Sequence, residues 1–321
     1  MDSRLQLLCC LLLTASVLAQ GALKKEEGRE LMWVEGEEVP LTVVKSDGGF
    51  TYDTSDLAAL RQRLREEKAD WILYVVDAGQ SLHLETVFAA GRQLGWYSAQ
   101  EKRVEHVSFG VVLGEDKKKF KTRSGDTGVK RAQAKLVEKE REKELSPAEL
   151  AKAAESVAYG CIKYADLSHN RTADYVFSFD RMLDDRGNTA VYLLYALTRI
   201  RSIARTAGVA REQLLTWLQE NGAGELLQEP SELKLGKALA KFPDVVRLLV
   251  ERLALHPLCE YLYELSAVFS DFYAHCYCVE KNPDTGEVLR INYNRLALCE
   301  ATADVMDAGF AVLGIRPLER M

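Results

Sequence analysis

The run Trp71-Ile-Leu-Tyr-Val-Val76 is apolar and β-rich, and it stops abruptly at Asp77-Ala-Gly-Gln80. A strand that ends on a polar turn and passes directly into an amphipathic segment, Leu82 to Leu94, marks the strand-to-helix junction of an α/β sheet. The same alternation flanks it. Leu41 to Val44 reads as a strand, Asp56 to Lys68 as a helix with Leu57, Leu60 and Leu64 at helical spacing, and His106 to Leu113 as a further strand. Strand, helix, strand, helix, strand is half of a doubly wound parallel sheet. Ligands of such sheets bind where strands end and helices begin. Two ends carry hydrogen-bonding groups: Asp77 to Gln80, and Lys45 to Asp56, where Gly48 and Gly49 mark a turn and Tyr52, Asp53 and Asp56 follow.

The pattern changes at Ser146-Pro147-Ala148-Glu149, a helix start with Ser as cap, Pro in the first position and Glu closing a capping box. Helical spacing then dominates in Thr189 to Ala204, Arg211 to Glu220, Asp244 to Leu253, Leu258 to Tyr277 and Arg295 to Leu313. Turns at Asn221-Gly-Ala-Gly and Asn282-Pro-Asp-Thr-Gly separate them. An all-α domain is expected over 146–321, after a partial α/β domain over 23–145. Within the latter, Gly114 to Gly128 is a basic, glycine-bracketed loop, and Val129 to Glu144 predicts an exposed helix with salt-bridged faces. Residues 1–22 stand apart. Arg4 precedes the uncharged apolar run Leu5 to Ala19, and small residues follow. That has the form of a secretory leader and is short for a membrane anchor. An alternative start of the chain is the competing reading and is preferred, because the cysteines argue for a reducing compartment. Cys161, Cys259, Cys276, Cys278 and Cys299 lack framework spacing and read as reduced, buried thiols.

A chain of 321 residues accommodates two domains, and a net charge of −6 does not advertise nucleic-acid binding, although local basic patches can still bind RNA. No second Cys/His pair completes a tetrahedral set with His275-Cys-Tyr-Cys278, so no metal is expected. Tyr52 and Asp56 lie four residues apart, on one helix face. By spacing alone Ser55 or Asp56 is a helix cap and Gln80 a turn residue. Lys117 to Gly125 is either a solvated charge run or a loop whose lysines face phosphates. Tyr192, Tyr195, Arg199 and Ser202 recur at three- and four-residue intervals. They suit base stacking and phosphate contact, or equally the core of a bundle.

Four motifs in order, K-S-D-G-G-F-T-Y-D-T-S-D, D-A-G-Q, H-V-S-F-G-V-V-L-G and F-K-T-R-S-G, resemble the cytosolic arginyl-tRNA synthetases, class I aminoacyl-tRNA synthetases, from about Glu26 to Met321. The resemblance implies the second half of a Rossmann-type sheet followed by an α-helical anticodon-binding bundle of the DALR type. It implies an arginine–tRNA ligase that uses L-arginine, ATP with Mg2+ and tRNA(Arg), in the cytoplasm, with a multi-synthetase complex among its partners and no membrane insertion of the mature domain. On the same grounds Tyr52, Asp56 and Gln80 line the arginine pocket, and His106, Phe109 and Gly110 lie near the adenine, with a plain core role for Phe109 as the rival. Lys119, Lys121 and Arg123 would stabilise the reacting phosphates. Asn188, Tyr192, Tyr195, Arg199, Ser202, Tyr273, Tyr277 and Met321 would contact or support tRNA. Three departures are visible. The basic loop does not read K-M-S-K-S, no H-I-G-H-type element surrounds any of the five histidines, and Gly128-Val-Lys-Arg replaces an apolar helix-forming stretch. They keep open a second reading, a truncated, catalytically inactive fragment that binds tRNA or acts as a scaffold.

Overall fold

The computed structural model describes residues 10–11, 13–14, 17–18, 20–119, 125–138, 146–221 and 227–320. Most of the leader-like segment, Lys121, Arg123, the turn at 222–224 and Met321 lie outside them. The chain divides into two units, Met1–Gly110 and Val111–Met321.

In the first unit, β1 (Lys24–Glu26), β2 (Arg29–Met32) and β3 (Leu41–Val44) form an antiparallel sheet. The strand expected at Leu41–Val44 is present, but its partner is β2 rather than a parallel neighbour. Helix α1 (Tyr52–Arg65) follows, then β4 (Trp71–Tyr74), a 3-10 turn at Ala78–Gln80, α2 (Ser81–Gln93) and β5 (Arg103–His106). Strands β4 and β5 pair in parallel with Ile72 opposite Val104 and Tyr74 opposite His106. The last predicted strand, His106 to Leu113, therefore ends where it was expected to begin. Its later part is a loop that adds one parallel bridge, Asp77 to Phe109, and then the short β6 (Val112–Leu113). Leu57, Leu60, Ile72, Val87 and Phe88 fill the core between α1, α2 and the strands. Cys10, Leu13 and Val17, part of the leader-like run, are buried in this same core. Gly48 takes the left-handed φ of +80° that its turn requires, whereas Gly49 does not.

The start of α1 corrects the predicted cap. Thr51, not Ser55 or Asp56, accepts the Thr54 N–H, and the Thr54 side chain returns the bond to Thr51 N. The first turn is then pinned to β3. Thr42 N–H donates to Asp53 Oδ2 at 2.7 Å, and the Thr54 hydroxyl donates to the Val43 carbonyl. An N-cap in extended backbone with its hydroxyl free to accept satisfies donors the helix itself cannot.

The second unit opens with β6, which pairs in parallel with β7 (Tyr175–Val176), while Val111 N–H donates to Asp174 Oδ1. That pairing is why the units part at 110/111 and not at 145/146, where the sequence changes character. Helix α3 (Gly125–Glu138) is not the fully exposed rod expected, since Ala132 and Leu136, one turn apart, are buried. Ser146 caps α4 (Pro147–Leu167) with the predicted capping box to Glu149. Then come the one-turn α5 (Phe179–Met182), α6 (Ala190–Ala207), α7 (Arg211–Asn221), α8 (Pro230–Ala240), α9 (Phe242–Arg252), α10 (His256–His275) and α11 (Tyr293–Leu313). The unit is helical but not all-α. A hairpin of β8 (Val279–Lys281) and β9 (Val288–Ile291) closes over the Asn282 turn. Arg201 forks onto Asp307 at 2.8 and 2.9 Å and holds the Leu318 carbonyl, tying α6 to α11 and the C-terminal residues.

Packing in this bundle is close enough to make two predictions. A Cβ on Gly309 would lie 2.8 and 2.9 Å from the two methyls of Leu262, which is fully buried. Gly309→Ala is expected to cost about 1–3 kcal/mol through overpacking, read as a lowered denaturation midpoint with unchanged slope; an unshifted midpoint would show that α10 and α11 can separate freely. Burial pushes the thiols of Cys161 and Cys259 up to about 12. At pH 8 only about one in ten thousand of either is thiolate, the reactive form. Iodoacetamide should leave both unmodified in native protein and label them once denaturant is added, as read by peptide mass spectrometry. Fast native labelling would contradict the burial. Among the described residues, no helix is long and apolar enough to cross a membrane.

Candidate functional site

In the first unit, the helix starts that follow β3 and β4 bring a small polar group together. Asp56, one turn into α1, points its Oδ2 at His83 Nε2 of α2, 2.7 Å away. An ionised carboxylate can only accept, so Nε2–H is the donor. His83 Nδ1 faces Asp53 Oδ1 at 3.4 Å. Tyr52 sets its ring edgewise against the imidazole, centroids 4.7 Å apart, and is itself 68% exposed. Burial raises the Asp53 carboxyl above its ordinary range, opposed by the Thr42 N–H and by the neighbouring imidazole. Asp56 keeps 39% of its side-chain surface open, and among the described residues its Oδ1 takes no hydrogen bond. An exposed phenol, a half-open carboxylate and an imidazole on adjoining helix starts can receive a planar cation through the oxygen left free.

Gln80 is exposed at the last position of the 3-10 turn, three residues before His83 and hence on the same side of the helix start. Asp77 holds that turn by accepting the Gly79 N–H at 2.8 Å. His106, at the end of β5, donates through Nε2 to the Val76 carbonyl and lies 3.3 Å from Ser81 Oγ. Phe109 bridges to Asp77 through its backbone, and its ring is exposed, so the core role weighed against it does not hold. Gly110 closes the unit. His106, Phe109 and Gln80 thus gather at the carboxyl ends of the parallel pair. Lys119 is exposed in the second unit and bridges Leu113, while Lys121 and Arg123 are outside the described residues.

In the second unit, α6 buries Val191, Leu194, Thr198 and Ile203 and turns Tyr195, Arg199 and Ser202 outward. Arg199 places its guanidinium 4.6 Å from the centre of the Tyr273 ring. Tyr192 is half-buried against Tyr263, and Asn188 Oδ1 accepts from the buried Tyr164 hydroxyl, so these two also serve the bundle. Tyr277 is 70% exposed. It sits between buried Cys276 and Cys278 in extended backbone, where successive side chains point to opposite sides. Arg295 fixes this point by donating to the Tyr277 carbonyl at 3.1 Å while holding Glu232 at 2.6 Å.

Sequence reasoning missed His83, Glu232 and Arg295, and placed Asp53 in the polar cluster without giving it a role. A polar residue on the inner side of an amphipathic pattern was the available signal for His83 and Asp53. For Glu232 and Arg295, 63 residues apart, there was none.

A parallel strand pair with its polar groups at the carboxyl ends, and a helical bundle bearing an exposed Tyr/Arg stripe, are parts of a class I tRNA synthetase. The chain belongs to that family: residues 13–179, more than half of it, match tRNA synthetases class I (R), catalytic domain. Residues 193–321 match the DALR anticodon binding domain. It is 57% identical over 311 residues to the cytoplasmic arginine–tRNA ligase of Homo sapiens and 56% to that of Xenopus tropicalis, in each case over 94% of this chain and 47% of the relative. The chain thus spans about half the length of the curated relatives it matches. Among solved structures, arginyl-tRNA synthetase of Plasmodium falciparum superposes with a TM-score of 0.81 at 30% identity, covering 97% of this chain and 52% of that one. The Thermus thermophilus enzyme shares the fold, with a TM-score of 0.78 at 22% identity, over 98% of this chain and 58% of that one.

Proposed function

We propose that this chain carries the arginine pocket and the tRNA-reading bundle of an arginine–tRNA ligase, which joins L-arginine to tRNA(Arg) through an arginyl-adenylate at the expense of ATP. The observation that carries the proposal is the Asp56 carboxylate, held by His83 at one oxygen and open at the other, with the Tyr52 ring against the same imidazole. A guanidinium docks on such an acid through parallel charge-assisted bonds. Gln80 would take the polar groups at the α-carbon of the substrate. ATP with Mg2+ is the proposed co-substrate, with His106, Phe109 and Gly110 on the adenine side. Lys119, Lys121 and Arg123 would neutralise the phosphates as pyrophosphate leaves, by electrostatics rather than covalent chemistry. Tyr195, Arg199, Ser202 and Tyr277 are the proposed tRNA contacts, with Asn188, Tyr192, Tyr273 and Met321 supporting them. Exposed aromatics stack bases and an arginine holds phosphate. The relatives are named cytoplasmic, and the same compartment, with a multi-synthetase complex as the assembly to seek there, is proposed for this chain.

Arginine-dependent ATP–pyrophosphate exchange by the purified chain, alongside binding of a tRNA(Arg) transcript, tests this. Exchange with tRNA binding supports the ligase. Binding without exchange favours a tRNA-binding or scaffold role, and loss of both sinks the proposal.

A further inference from the structure

We propose that His83 is the positioning residue of the arginine-binding carboxylate, the last link of a relay that runs from the β3 backbone through Asp53 and the imidazole to Asp56. The inference rests on the pocket reading above and adds to it a residue that the reading does not use. The links are on three elements. Thr42 N–H of β3 donates to Asp53 Oδ2 at 2.7 Å, which fixes that carboxylate on a strand. Asp53 Oδ1 lies 3.4 Å from His83 Nδ1, so the two side chains are packed together on the inner side of the ring without a hydrogen bond between them. His83 Nε2 donates to Asp56 Oδ2 at 2.7 Å, and the Tyr52 ring packs edgewise against the imidazole. The His83 side chain is 13% exposed and that of Asp53 10%.

The physical consequence is directional. A carboxylate on an exposed helix face samples several rotamers, and holding one costs entropy at the moment a ligand arrives. Here Oδ2 is already committed to the imidazole, so Oδ1 is presented outward in one orientation. An incoming guanidinium meets a preset acceptor, with the second lone pair of Oδ2 still available for the parallel bond. A neutral ureido group of the same shape makes no charge-assisted bond and gains little from this arrangement. The relay should therefore act on the preference for the cation, not on binding in general.

The test is calorimetric titration of the whole chain with L-arginine and, separately, with L-citrulline, its neutral isostere. The variants are His83→Ala, His83→Gln and His83→Asn. His83→Ala should lose about tenfold in arginine affinity, the low end for a hydrogen bond to a charged group, with citrulline binding unchanged. His83→Gln, whose amide nitrogen extends toward the position of Nε2, should restore arginine affinity to within about threefold of the wild type. His83→Asn, one methylene shorter, should resemble the alanine variant. If His83→Ala fails to fold, the glutamine–asparagine pair decides alone. Wild-type arginine affinity in the alanine and asparagine variants would overturn the proposal while leaving the pocket intact, and so would equal losses for arginine and citrulline, which mark a packing role. No preference for arginine over citrulline in the wild-type chain would overturn the pocket reading itself, and this inference with it.

Discussion

Asp56→Ala should weaken binding of L-arginine to this chain by about 2–5 kcal/mol, the range for truncating one partner of a desolvated charge pair. The change removes the only proposed acceptor for the guanidinium and also strips His83 Nε2 of its partner at 2.7 Å. The His83 side chain is only 13% exposed, so a donor left unsatisfied there adds its own desolvation cost. The fold should survive, because Thr51, Asp53 and Thr54, not Asp56, pin α1 to β3. Calorimetry with L-arginine, beside a thermal melt of the same protein, separates the two effects. Unchanged affinity would remove Asp56 from the pocket, and collapse of the melt would mean that the acid is structural.

The second large effect belongs to the other unit. Glu232→Ala should cost about 3 kcal/mol of stability, the lower end for breaking a buried ion pair, because Arg295 keeps 20% of its side-chain surface in contact with water. Arg295 then loses the carboxylate 2.6 Å from its Nε while still donating to the Tyr277 carbonyl. The residue expected to feel the release is Tyr277, whose exposed ring depends on that backbone point. Urea denaturation should show the lowered midpoint, and tRNA(Arg) transcript affinity should fall with it under conditions where the variant is folded. A variant that loses stability but binds the transcript as before would detach Tyr277 from RNA contact.

Much of the architecture follows from local rules that act over a few residues. The abrupt end of the apolar run at Asp77 does mark a strand-to-helix junction, since alternating and helical periods are properties of neighbouring residues. The Ser146 cap was equally readable, because a capping box involves a helix start and the residue three positions on. The cap of α1 was not. Thr51, Ser55 and Asp56 all have capping chemistry, and the contact of Thr51 and Thr54 with the carbonyls of β3 chose among them. Strand pairing was also hidden. Leu41–Val44 could as well have joined a parallel sheet, and the connection over residues 33–40 folded it back antiparallel onto Arg29–Met32 instead.

The candidate site divides along the same line. Tyr52, Asp56 and Gln80 stood out because polar groups clustered where apolar runs stopped, and the motifs around them resembled one family. Their arrangement was undecidable from order alone. Asp56 and His83 are 27 residues apart and meet only because α1 and α2 pack side by side, burying Leu57, Leu60, Val87 and Phe88 between them. Whether Tyr195 faced water or core turned on which stripe of α6 the bundle bury, and Val191, Leu194 and Thr198 took the inside. By itself the amino-acid order determined most of the helices, the strands at Leu41–Val44 and from Trp71, where the polar groups gather and which family their motifs resemble, because periodicity, caps and motifs are short-range. Tertiary structure alone decided which oxygen of Asp56 is held, which tyrosines are exposed and where the units part, because those depend on contacts between residues tens of positions apart.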